Sequence, residues 1–90
     1  MAWRVEISDT ARRELKKLGK QAQKEILDYL KQRIETSENP QRFGSPLRRS
    51  LAGLWRYRAG DYRIICEIRQ SEVVVLVLRV GHRSKVYGGH

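Results

Sequence analysis

Two short stretches hold the residues best fitted to chemistry: "LWRYRAGDYR", with Arg56, Arg58 and Arg63, and the closing "VGHRSKVYGGH", with His82, Arg83, Lys85, Tyr87 and His90. A guanidinium presents a rigid fork of donors that matches phosphate oxygens. Three of them gathered on one wet surface, with Arg79 and Arg83 on or just past a neighbouring strand, point to a phosphate site. A single arginine of the set would read as a side chain laid along a wet face.

The charge of the chain agrees. The 90 residues carry a net charge of +9, unevenly placed. Residues 1–41 hold nine basic and seven acidic side chains, and residues 42–90 hold ten and three. The first part reads as a solvated helix surface of mixed sign, the second as a cationic field suited to a polyanion, nucleic acid foremost. Arg48 and Arg49, with Arg42, lie in a segment without a nearby acid and add to that field.

Other chemistries find little support. Two histidines and one cysteine show no metal-ligand spacing, and there is no glycine-rich phosphate loop leading into a helix, so neither a metal nor another cofactor is expected. Cys66, among Ile65 and Ile68, reads as a small core residue. Its solitude rules out an internal disulfide and suits a reducing, cytoplasmic setting. The longest apolar run, Val73 to Leu78, is too short to cross a bilayer, and "MAWRVEIS" lacks the pattern of a signal peptide. No membrane association is expected.

The elements that must position these residues follow from periodicity. Ninety residues suit one domain, spanning 1–90. "WRVEI" alternates as a half-buried strand. Ser8 or Asp9 caps a helix bearing Ala11, Leu15 and Leu18, which Gly19 ends. A second helix is predicted from about Lys20 to Thr36, with Ala22, Ile26, Tyr29, Leu30 and Ile34 as its buried stripe. Asn39 to Leu54, with both prolines, reads as a loop. A hairpin then turns at Gly60-Asp61, and a last strand runs Val73 to Val80 after a Gln70-Ser71 turn. The fold class is α+β, order β-α-α-β-β-β, an antiparallel-rich sheet with a helical hairpin on one face.

The turn fixes faces. If Ala59 pairs with Tyr62, then Arg58 opposes Arg63, Tyr57 opposes Ile64 and Arg56 opposes Ile65. Trp55, Tyr57, Tyr62, Ile64, Cys66 and Ile68 then form the core face, and Arg56, Arg58 and Arg63 share the other. A slip of one residue would scatter the arginines. Trp3 and Trp55 read as core rather than as base-stacking platforms.

With the element order in place, "GLWRYRAGDYRII" and "VGHRSKVY" resemble the RelE/ParE superfamily of bacterial and archaeal toxins over nearly the whole chain. RelE-like members are ribosome-dependent endoribonucleases that cut messenger RNA in the A site; ParE-like members share the fold and poison DNA gyrase. The resemblance implies that Arg63 binds the scissile phosphate. It implies that Arg83 acts as general acid or stabilises the transition state, and that Tyr87 stacks on an mRNA base and orients the 2′-hydroxyl. The chain departs where RelE carries two lysines, since those positions hold Leu54 and Arg56. Arg56 is therefore expected to serve in place of a lysine, and Arg48, Arg49, Arg58, Arg79 and Lys85 to contact RNA. Arginine is a poor base, so His82, whose imidazole is the side-chain type best suited to proton transfer near neutral pH, is a candidate for the proton; His90 is a weaker one. An acidic, RelB-like antitoxin is the partner the resemblance implies, in a toxin–antitoxin hetero-oligomer, beside the ribosome and mRNA. Two other readings stay open: a gyrase inhibitor without nuclease activity, and an RNA-binding module without chemistry.

Overall fold

The computed structural model describes residues 3–36, 38–47 and 53–82. Strand β1 (Arg4–Ile7) leads into helix α1 (Asp9–Leu18), with Ser8 as its N-cap: the hydroxyl accepts the N–H of Ala11 at 3.1 Å. Gly19, at φ +95°, breaks the chain before helix α2 (Lys20–Tyr29). Strands β2 (Ser45–Pro46), β3 (Leu54–Ala59), β4 (Tyr62–Arg69) and β5 (Val74–His82) complete an α+β fold.

The five strands form one sheet in the order β1-β5-β4-β3-β2, with β1 parallel to β5 and the other pairs antiparallel. Ala11, Leu15, Ile26, Leu30 and Ile34 of the helical layer meet Tyr57, Ile64, Cys66, Val75, Val77 and Val80 of the sheet in one core. Trp3 and Trp55 pack against its margin, as expected. The β3–β4 hairpin has the expected register throughout: Ala59↔Tyr62, Arg58↔Arg63, Tyr57↔Ile64, Arg56↔Ile65. Gly60 takes φ +60° and Asp61 does not take a positive φ, which is the requirement of a type II′ turn.

Several elements differ from the sequence reading. The second helix is α-helical only to Tyr29; Leu30–Ile34 is a π turn, closed by the Glu35 N–H donating to the Leu30 carbonyl at 3.0 Å. The buried residues Ala22, Ile26, Leu30 and Ile34 recur every four positions. In an α-helix each such step drifts by about 40°, and a wider turn takes back part of the drift so that Ile34 still faces the core. The stretch read as a loop holds a 3-10 turn, Pro40–Phe43, capped by the Asn39 side chain, and the short edge strand β2. Pro46 is tolerated there because an edge strand need not donate on both sides. The final turn is a 3-10 turn over Gln70–Glu72 with Val73 left-handed at φ 55°, so β5 starts at Val74 and runs on to His82.

The 3-10 turn is fastened from below. The Tyr57 hydroxyl, on a buried side chain, donates to the Pro40 carbonyl at 2.8 Å, and Gly44 lies against the Tyr57 ring. A Cβ on Gly44 would sit 2.8 Å from Tyr57 Cε1 and 3.0 Å from the Arg56 carbonyl oxygen. The ring cannot retreat without losing its hydrogen bond. Gly44→Ala is therefore expected to destabilise the fold by about 1–3 kcal/mol, measured by urea denaturation, although its backbone conformation is ordinary.

Candidate nucleic-acid interface

Strand pairing sorts the side chains of the sheet by face. On the face away from the helices, one row runs Ser45, Arg56, Ile65, Arg79 across β2, β3, β4 and β5, and the next runs Arg58, Arg63, Gly81. Arg56, Arg58 and Arg63 therefore come together as the hairpin register requires. Arg79 reaches this face through an irregularity. Ile65 pairs with Arg79 but its neighbour Cys66 pairs with Val77, which leaves Leu78 as the extra residue of a β-bulge. Strict alternation from the buried Val75 and Val77 would have turned Arg79 into the core; the bulge turns it out and puts Val80 in instead.

The same face changes character along its length. Away from the β3–β4 turn its charges are balanced: Arg4 pairs with Glu6 at 3.1 Å, and Arg69 with Glu67 at 3.3 Å. Toward the turn the side chains are cationic. Arg58 is exposed and lies directly opposite Arg63, a like-charge pair that costs stability. The Nε of Arg63 is buried and donates to no acceptor among the described residues. An unmet donor beside an opposing cation costs the free protein stability, a cost that an anion between them would relieve.

Arg79 is held differently. Its Nε donates to Glu14 Oε2 at 2.8 Å and its Nη2 lies 2.7 Å from the same oxygen, so the hydrogen bonds and charge of Glu14 raise its pKa further. Glu14 was not singled out in the sequence, because nothing local links it to a residue 65 positions away. His82 pairs with Tyr62, and its ring stands edge-on to the Tyr62 ring at 6.1 Å, on the helix-bearing face. It is not brought together with Arg56, Arg58 and Arg63. Arg48, Arg49, Arg83, Lys85, Tyr87 and His90 lie outside the described residues. Cys66 is fully buried, and burial pushes its thiol up, as befits a core residue. Among the described residues there is no cluster of side chains that would hold a metal ion, and no helix is long and apolar enough to cross a membrane.

The family model for the ParE toxin of the type II toxin–antitoxin system parDE matches residues 5–87. The chain belongs to this toxin family. The Mycobacterium tuberculosis protein named Toxin RelG is 37% identical over 87 residues, which cover 97% of this chain and 98% of the relative. Among solved structures, the chain is similar to one in the toxin–antitoxin complex RelBE2 from Mycobacterium tuberculosis, with a TM-score of 0.82 and 36% identity over 92% of this chain and all (100%) of that one. It is also similar to one in the archaeal RelE–RelB complex from Pyrococcus horikoshii, with a TM-score of 0.70 and 26% identity over 96% of this chain and 100% of that one. The RelE/ParE resemblance of the sequence and its α+β architecture are borne out. The protein is a toxin of a type II toxin–antitoxin system.

Proposed function

We propose that this toxin is a metal-independent endoribonuclease of the RelE type, which cuts messenger RNA in the ribosomal A site. The reading is carried by the arginine cluster at the turn end of the sheet, with the unmet Nε of Arg63 at its centre. Attack by the 2′-hydroxyl builds negative charge on the phosphate oxygens, and Arg63, with Arg56 and Arg58 beside it, is placed to receive that charge. Arg83 stabilises the departing 5′-oxygen and Tyr87 stacks on a base, so that attacking oxygen and phosphorus are held in line. The O2′–P bond forms as the P–O5′ bond breaks, the 2′-hydroxyl gives its proton to water and the 5′-oxygen takes one up from water, so the products are a 2′,3′-cyclic phosphate and a 5′-hydroxyl. His82, on the other face, takes no part in the chemistry.

In the cytoplasm the toxin is held inactive by an acidic, RelB-like antitoxin, as the names of the two solved complexes suggest for those relatives. A partly disordered acidic chain that folds on binding would neutralise Arg56, Arg58 and Arg63. The matching family model is that of ParE, and the lysines of RelE are replaced here by Leu54 and Arg56, which keeps gyrase inhibition as the second reading.

Toeprinting of a translated message with purified toxin separates the two. New ends at the A-site codon support cleavage, whereas an intact message with loss of gyrase supercoiling supports the alternative. Within the first outcome, Tyr87→Phe should keep much of the activity, and Tyr87→Ala should lose a stacking contribution of roughly 1–3 kcal/mol. His82→Gln should leave the rate within about threefold of wild type across about pH 5.5–8.5, with no titrating limb lost. A limb that vanishes in this variant would restore His82 as the base.

A further inference from the structure

Strand β1 covers the edge of β5 only from Val74 to Val77. Beyond that point β5 continues to His82, and the polypeptide that would have paired with it has already turned into α1. Side chains of α1 and its cap take over the edge. The Ser8 N–H donates to the Val77 carbonyl at 2.9 Å, and the Ser8 hydroxyl donates to the Leu78 carbonyl at 3.1 Å. Glu14 comes next: Oε1 accepts the Val80 N–H at 2.9 Å while Oε2 accepts Arg79 Nε at 2.8 Å. A single carboxylate thus binds a backbone amide and a side chain of the same strand, just past the bulge at Leu78.

This is not an ordinary surface ion pair. The side chain of Glu14 is only 23% exposed against 50% for Arg79, and one of its oxygens is committed to the backbone. It also holds the outer edge of β5 at Val80, where β1 no longer pairs and only the inner edge is tied to β4. The next residues are Gly81, which opposes Arg63, and His82, which leads to Arg83.

We propose that Glu14 is a positioning residue for RNA cleavage: by clamping Val80 and Arg79 to α1 it fixes the end of β5, where Gly81 opposes Arg63, and it draws the Arg79 guanidinium away from the phosphate site. The inference rests on the ribonuclease reading above. It carries a signature in the kinetics. Removing the carboxylate loosens the end of β5 beside Arg63, which lowers kcat, and releases a cation toward the RNA, which holds KM level or lowers it.

The test uses the full-length toxin on programmed ribosomes, with single-turnover cleavage and amide hydrogen exchange at Val80 as independent readouts. Glu14→Ala should lower kcat at least tenfold with KM unchanged or reduced, and should speed exchange at Val80 while the core amides of β4 stay protected. Glu14→Gln keeps an acceptor for the Val80 N–H and should recover a substantial part of kcat. Arg79→Ala leaves the Glu14–Val80 bond in place, so its kcat should stand at least fivefold above that of Glu14→Ala, with Val80 still protected. Equal losses in Glu14→Ala and Arg79→Ala, a loss that follows the folded fraction measured by circular dichroism, or wild-type kcat in Glu14→Ala would each overturn the positioning role and leave the ribonuclease reading intact. Absence of cleavage by the wild-type toxin would overturn that reading and the role of Glu14 with it.

Discussion

Arg63→Ala is expected to lower cleavage of ribosome-bound message by at least ~100-fold while leaving the fold as stable as before, or more so. The rate loss follows from removing a preorganised donor at the place where phosphate charge develops, an effect of roughly 10²–10³ for one such group. The stability statement follows from the resting protein. Arg63 faces Arg58 across the hairpin, and its Nε is buried without an acceptor among the described residues. Both are costs borne by the free toxin: opposed like charges destabilise a sheet, and a buried unmet donor costs about 1–3 kcal/mol. An arginine kept for structure would show the reverse. Arg63→Lys separates charge from geometry, since an ammonium keeps the charge and loses the fork; it should recover part of the lost rate and no more. Urea denaturation of the free toxin and single-turnover cleavage, run on the same variants, check both halves. A variant that cleaves normally and unfolds more than ~1 kcal/mol more easily would make Arg63 a structural residue and remove the centre of the proposed site.

What could be read beforehand depended on how local the determining interaction was. The Gly60-Asp61 turn pinned the β3–β4 register because only glycine takes φ +60° there without strain, and once that pairing stood, the arginine face followed by alternation. The first helix was equally legible, with Ser8, Ala11, Leu15 and Leu18 in place and Gly19 to end it. The bulge at Leu78 left no such mark. Val73 to Leu78 is apolar without a period, so nothing in it shows where alternation slips, and the faces of Arg79 and His82 depend on that slip. The parallel pairing of β1 with β5 joins the two ends of the described fold, and the Glu14 clamp depends on it; neither has a local cue. The two-residue strand β2 is too short to show a period at all.

Above pH ~9, unfolding free energy is expected to fall by about 1.4 kcal/mol per pH unit, and Cys66→Ala should flatten this slope between pH ~9 and ~10. Cys66 is the chain's one thiol, paired with Val77 on β5 and Trp55 on β3 and fully buried. Burial opposes the thiolate, so its pKa rises well above the ordinary 9.0. The unfolded thiol sheds its proton from about pH 9 while the native one keeps it. The native state then binds more protons than the unfolded state, so stability is fully present below pH ~9 and is lost as pH rises. Tyr57 adds a second slope of the same sign from about pH 10, because burial, its largest cause, raises its pKa above 10.0 and its hydroxyl is engaged by the Pro40 carbonyl. Cys66→Ala loses about 1 kcal/mol at neutral pH from the missing sulfur, a constant offset that the slope comparison cancels. Urea titrations of the reduced protein at half-unit steps from about pH 8 to 10 give the result directly. A wild-type profile as flat as that of the variant would place the thiol in contact with water and overturn the reading of Cys66 as a core residue.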